Sequence, residues 1–405
     1  MSGSNINSLS HFQSHRYALM MLFFDPKKLE AGEGVYICGT IIVSLLFSLG
    51  FPLHLGMKLF RNETRNQNML NLGTFLPCLG ASSKFIIYAL NFGKVRRMEE
   101  LLRLLDQRVS GHKQRSIYAQ VRTRLRVMVG LFIGIYAPCG ITAVMMFLFA
   151  EERSLMYYAW FPFDWKSSFV SYCLANGYQS AGISYQLVQN YVNDCFPALV
   201  LCLVAAHAKI LYCRLEEIGE NPLQNAEREL EKCITDHKNL LELFRITEAF
   251  MSFPMAIQFL CSAVNSCLGI ASFLFSTDEP MVRAYSLCYT LAMILQIFPC
   301  CYFGTESEFW FGRLHYAAFS CNWLIQERSF KRKLMLFVER SLKSSTAMAC
   351  GMPEFAVGVG NALKSVQSPS WICVLNAVKW TQEKSQAKTK KGPYRPEFIA
   401  DKKGN

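Results

Sequence analysis

The sequence predicts an all-α, polytopic membrane helical bundle, and three observations carry that prediction. Of 405 residues, 52% are hydrophobic and only 18% charged, a balance outside that of ordinary soluble domains. The apolar residues gather into uncharged stretches at 35–57, 66–83, 127–150, 195–208, 249–277 and 284–305. The basic residues collect between these stretches, above all at 94–126.

Residues 1–34 form a leading segment. Its apolar patch at 17–24 is short and runs into Asp25, Pro26, Lys27 and Lys28 without a small-residue cleavage site, so it is read as a retained terminus rather than a signal peptide. A bilayer core of roughly 30 Å needs about 20 helical residues. Five stretches meet that length, and the one at 195–208 does so if it continues past Lys209 to Cys213. Six crossings are therefore expected within 35–303. The second carries Lys84. An ammonium at mid-membrane costs about 2.5–3.5 kcal/mol on insertion scales, so its stem is expected to snorkel to an interface, a pathway charge being the competing reading. Each crossing also holds a proline: Pro52, Pro77, Pro138, Pro197, Pro254 and Pro299. Proline frees a backbone carbonyl and bends a membrane helix, which can open a gap between helices, although prolines are frequent in such helices for their own sake. The sixteen cysteines, scattered singly apart from the neighbours Cys300 and Cys301, read as small buried hydrophobes. Cys173 and Cys195 are the pair that could meet on the outer side.

Orientation follows from the loops, because Lys and Arg resist translocation. Residues 94–126 hold ten basic side chains against Glu99, Glu100 and Asp106, which places this loop and the amino terminus in the cytosol. The charged stretch 214–248 then lies inside as well. The loop 151–185 lies outside, with Arg153 and Lys166 against Glu151, Glu152 and Asp164. The sequon Asn62-Glu63-Thr64 falls in an outer loop, which makes Asn62 a glycosylation candidate.

Beyond the aromatic pair Tyr302 and Phe303 the chain is expected to leave the lipid. Phe309, Gly312, Tyr316, Phe319, Trp323, Gln326 and Phe330 follow 3,4 spacing, and Leu334 and Phe337 extend the stripe. One amphipathic helix outside the membrane is predicted. It can lie on anionic lipid, pack within its own subunit, or meet the same helix of other subunits.

The same region reads FPCCYFGTESE, then RLHYAAFSCNW and ERSFKRKLMLFVERSLKS, and the fifth stretch contains FPMAIQFLCSAVNSCLG. In this order the blocks resemble the insect odorant receptor family, tightly over 254–343 and in layout from residue 1. The resemblance implies a ligand-selective tuning subunit of a heterotetrameric, odorant-gated, non-selective cation channel formed with the odorant receptor co-receptor. It implies the plasma membrane of olfactory sensory neurons and a volatile small-molecule odorant as ligand. The stretch between the fourth and fifth helices is shorter than the co-receptor's, which favours a tuning subunit. A gustatory receptor-like channel is the alternative.

By that resemblance, residues 304–345 are a cytoplasmic anchor with Tyr316, Phe319, Trp323 and Phe330 at subunit contacts, packing within the subunit being the competing reading. The family's pocket lies in the outer half of the bundle, where this chain offers Phe75, Thr142, Met146, Tyr185, Gln189, Asn193, Phe196, Tyr285 and Tyr289. Aromatic and Met side chains give shape, and Gln189 or a tyrosine hydroxyl can orient one polar group. The family's final helix should follow Lys343. Residues 346–380 hold Pro353, Glu354, Lys364 and three glycines, and a basic tail follows at 381–405, so an atypical seventh helix is expected.

Other classes fit poorly. An inside amino terminus and the lack of D-R-Y and N-P-x-x-Y oppose the G-protein-coupled arrangement. The net charge of +12 is explained by cytoplasmic loops and tail rather than by nucleic acid. No phosphate-cradling loop, metal cluster or nucleophile constellation suggests an enzyme or a cofactor. A transporter would show paired discontinuous repeats, and none is found.

Overall fold

The computed structural model describes residues 7–25, 28–29, 31–59, 65–148, 155–220, 225–275 and 280–343. The sequon at Asn62, residues 346–380 and the tail lie outside them. A 3₁₀ turn at Ser8–Phe12 leads into α1 (Gln13–Met21), α2 (Gly34–Leu59), α3 (Arg65–Leu90), α4 (Phe92–Gln107) and α5 (His112–Leu148). Then come α6 (Phe169–Glu216), α7 (Ala226–Phe275), α8 (Pro280–Phe311), α9 (Leu314–Ser320) and α10 (Arg328–Ser341). Six of them, α2, α3, α5, α6, α7 and α8, are long and apolar enough to cross a membrane, as the sequence requires.

The order of burial shows how they pack. In its most apolar window α6 is 89% buried, against 11% in α2 and 22% in α5 and α7. α6 is thus the central post, and its neighbours turn apolar faces outward, as helices do when the surroundings are lipid. Ser168 starts α6 by accepting a hydrogen bond from the Val170 amide at 3.3 Å. Gly219, at φ +83°, turns the chain beyond its far end. The 48 residues of α6 rise roughly 72 Å and the 50 of α7 roughly 75 Å, more than twice a bilayer core. Both helices therefore continue past the membrane and pack there with α4, α9 and α10. The charged stretch 214–248 is mostly the helical start of α7. In α4, Val95, Met98, Leu101, Leu102 and Leu105 are buried at helical spacing against this extension.

Inter-helix ion pairs hold the extension together. Arg97 meets Glu242 at 2.8 Å, and Arg124 meets Glu306 at 2.8 Å. Arg108 and Arg214 converge on Asp236 at 3.1 and 2.6 Å.

Four expectations need correction. α8 does not end with the sixth crossing at 303 but runs through Pro299 and on to Phe311, since its neighbours hold the helix through the lost hydrogen bond. The single rod over 309–337 is broken: Cys321 and Glu327 are extended, and the Asn322 amide bonds to the Ile218 carbonyl at 3.2 Å. Each piece then buries its own face, α9 through Leu314, Ala317 and Ala318, and α10 through Phe330, Leu334, Phe337 and Val338. Cys173 and Cys195 are both free and sit on α6 about 33 Å apart along its axis, far beyond disulfide reach. Lys84 does not snorkel. It is 2% exposed and ion-paired with Asp194 at 2.6 Å.

Candidate functional site

An apolar cluster separate from the main core forms at the end of the bundle that carries residues 155–168. Phe51 and Leu55 of α2, Cys78 of α3 and Ile183 of α6 are buried in it with Ala159 of the connecting segment. Phe75, Tyr178, Leu187, Met156, Tyr157 and Phe161 pack around them. Small residues let the helices approach. The Phe51 ring lies on Gly182, and the Phe75 ring lies against Gly56.

The segment over this cluster is held by side chains. Asn176 accepts from the Met156 amide at 3.1 Å, and Gln179 accepts from the Tyr157 amide at 3.1 Å while donating to the Tyr157 carbonyl at 2.8 Å. The Trp160 amide donates to the His54 carbonyl at 3.0 Å, and His54 Nδ1 lies 2.8 Å from the Trp160 carbonyl. These polar groups close off irregular backbone that would otherwise stay unpaired.

Beneath the cluster lies a polar layer. Gln186 donates to the Phe47 carbonyl at 2.8 Å and to Ser82 Oγ at 3.0 Å. Gln189 donates to Ser48 Oγ at 2.6 Å. Ser48 belongs to a π-helical stretch, Ser44–Gly50, which ends just before Pro52, the residue that cannot donate along the helix. Gln189 is fully buried, and its Oε1 has no hydrogen-bond partner; Asn71 Oδ1, nearer the 155–168 end, is likewise unpartnered. A buried unpaired acceptor costs about 1–3 kcal/mol, so each is a ready acceptor for a donor that enters the site.

The nine residues expected to border a pocket are not all brought together. Phe75 stands in the apolar cluster, with Tyr185 and Gln189 buried on α6 beneath it. Tyr289 donates to the Gly73 carbonyl at 3.1 Å and reaches Asn265 at 3.4 Å, so it ties α8 to α3 and α7. Asn193 donates to the Ala81 carbonyl at 3.1 Å and acts as a clasp between α6 and α3. Phe196 stands apart from the apolar cluster. It lies about 40 Å along α6 from Phe169 and packs on Phe12, His15, Tyr88 and Phe250. Thr142, Met146 and Tyr285 fall on α5 and α8, and their side chains lie outside the described residues. Asn71 was missed, and only its place in an apolar helix signalled it.

At the opposite end, Tyr316 and Phe319 are 62% and 57% exposed on α9, and Leu324 and Ile325 continue that surface. Trp323 is partly buried. Phe330 is 1% exposed, so its packing is within its own subunit, because the break before α10 turns the stripe inward. Lys333 holds α10 to α7 through Glu227, at 2.5 Å, and Glu231.

The chain matches the family model described as 7tm Odorant receptor over residues 64–357. It is 53% identical over 370 residues to odorant receptor 59a of Drosophila melanogaster, covering 87% of this chain and 93% of that one. To odorant receptor 23a of the same organism it is 33% identical over 324 residues, 79% and 85% of the two chains. Its fold is similar to the insect olfactory receptor OR5 from Machilis hrabei, with a TM-score of 0.72, 14% identity and coverage of 90% and 97%. The same receptor in complex with eugenol also aligns with a TM-score of 0.72 and 14% identity, covering 92% and 99%. On the family match and the identity to these relatives, this chain belongs to the odorant receptor family.

Proposed function

We propose that this odorant receptor is the ligand-selective subunit of an odorant-gated, non-selective cation channel assembled with the co-receptor in the plasma membrane of olfactory sensory neurons. In this reading the 155–168 end faces outside, and the amino terminus, α4, α9 and α10 lie in the cytosol. The bundle over 35–303 holds the ligand site, and 304–345 forms the anchor with Tyr316, Phe319 and Trp323 toward other subunits.

One observation carries the ligand reading: the apolar cluster of α2, α3 and α6 sits above a fully buried Gln189 whose Oε1 lacks a partner. A small, mostly apolar molecule with one hydroxyl suits that arrangement, apolar surface giving affinity and the amide giving orientation. The eugenol-bound receptor supports the ligand class by family likeness. Phe75 and Tyr289 are the further contacts proposed from the expected set.

The test is co-expression with the co-receptor and current recording against an odorant panel. Gln189→Leu is expected to raise the half-maximal concentration for hydroxyl-bearing odorants about tenfold, the loss of one net hydrogen bond of roughly 1.4 kcal/mol, and to spare their apolar analogues. Equal shifts for both sets would remove Gln189 from the site. Absence of any odorant-gated current from the unaltered chain would overturn the functional reading.

A further inference from the structure

A second buried constellation lies deeper in the bundle than the candidate ligand site. Lys84 of α3 donates to Asp194 Oδ1 of α6 at 2.6 Å and to Gln258 Oε1 of α7 at 2.5 Å. Tyr136 of α5 donates to the other carboxylate oxygen, Asp194 Oδ2, at 2.6 Å. Gln258 Nε2 donates to Gln296 Oε1 of α8 at 2.9 Å and to Ser262 at 3.3 Å. All six side chains are buried, and they come from five membrane-spanning helices, two of them from α7.

A charged pair here is a poor way to gain stability, since well-packed apolar residues of similar volume usually do as well or better. What the network does supply is exclusivity of arrangement. Charge-assisted bonds are short and directional, and a helix that slides breaks its bond rather than stretching it.

Its position links it to the ligand site. Along the α3–α6 contact, Cys78 and Ile183 belong to the apolar cluster, Ser82 meets Gln186 below it, Asn193 meets the Ala81 carbonyl next, and Lys84 meets Asp194 last. A ligand that spreads α3 from α6 acts on this ladder, and through Lys84 and Asp194 on α5, α7 and α8.

We propose that Lys84 and Asp194 are positioning residues for gating: their ion pair, with Tyr136, Gln258 and Gln296, sets the balance between the unliganded and conducting arrangements of the bundle. This rests on the channel reading above. A contact made in one arrangement and lost in another shifts the equilibrium by its differential free energy, and couplings of this kind typically give about 5–150-fold effects.

The experiment compares Lys84→Met, Asp194→Leu, the double variant and the conservative Lys84→Arg, each co-expressed with the co-receptor. Surface amount, unstimulated current and odorant dose response are read for each. The single variants leave one buried charge unpaired and are expected to lose surface amount. The double variant is expected to recover surface amount and yet show a half-maximal odorant concentration or an unstimulated current changed at least fivefold, with Lys84→Arg closer to the unaltered chain. If the double variant reaches the surface and gates as the unaltered chain does, the pair is a packing feature and the inference is overturned. A double variant that fails to reach the surface overturns it too, because the pair is then a folding requirement. A silent unaltered chain instead refutes the channel reading, which separates the two failures.

Discussion

Gly182 on α6 offers the most direct test of how the candidate ligand site is built. A Cβ placed there would lie 2.5 Å from Phe51 Cδ2, 2.9 Å from Cγ and 3.0 Å from Cε2. Carbon atoms rest about 3.5–4.0 Å apart, so Gly182→Ala demands a shift of roughly 1 Å. Phe51 is fully buried and cannot swing into open space. Either its ring leaves its rotamer or α2 backs away from α6, an overpacking cost of about 1–3 kcal/mol. Gly177, on the same helix, has nothing within 4 Å of an added Cβ and serves as the control. Both substitutions gain about 1 kcal/mol of helix propensity, which cancels in the comparison and leaves the gap equal to the overpacking cost. Thermal melting of the purified receptor in detergent, followed by size-exclusion chromatography, reads that gap. Gly182→Ala should melt below the unaltered chain and Gly177→Ala at or above it, and Phe51→Leu in the Gly182→Ala background should recover part of the loss. Equal melting of the two alanine variants would falsify the close α2–α6 contact on which the site depends.

Three further outcomes are expected. Asp236→Ala leaves Arg108 and Arg214 without their shared carboxylate, and because Asp236 and Arg214 are largely buried the cost should be roughly 3–5 kcal/mol, read as a lost melting transition at ordinary temperature; a change within error would show that the pair is solvent-screened. Burial pushes the His15 imidazole on α1 down to about 3 from its ordinary 6.5, so docked α1 excludes a proton that released α1 takes up. Docking is then complete above about pH 6.5 and weakens as pH falls toward 3, by up to about 1.4 kcal/mol per unit; hydrogen-exchange protection of residues 13–21, corrected for intrinsic rates, should drop between pH 7 and 5, and His15→Phe should abolish the drop. Phe330→Ala should cost about 3–5 kcal/mol of subunit stability, whereas Phe319→Ala on the exposed face should change melting little and instead weaken subunit association in cross-linking; the reverse pattern would exchange their roles.

Composition and the spacing of uncharged stretches determined the all-α bundle and, among the described residues, its six helices long and apolar enough to cross a membrane, because lipid forces a helix to satisfy its own backbone and leaves a plain record in about 20 consecutive apolar residues. The blocks in the fifth stretch and from Phe298 onward pointed to the family, since they combine a local order of residues that periodicity alone does not demand. Tertiary structure decided the rest. Lys84 reads as an awkward charge in an apolar run, and only the approach of α6 brings Asp194, 110 positions away, within 2.6 Å. The stripe from Phe309 to Phe337 keeps helical spacing in sequence, yet a hydrogen bond from Asn322 to Ile218 breaks it and turns Phe330 inward while Phe319 stays outside. Phe196 and Phe75 are both aromatic residues in membrane helices, yet Phe75 packs on the cluster of Phe51, Leu55, Cys78 and Ile183 while Phe196 packs on Phe12, His15, Tyr88 and Phe250. Periodicity records which face of a helix is apolar, but depth and partner come from helices distant in sequence, whose contacts leave no local trace.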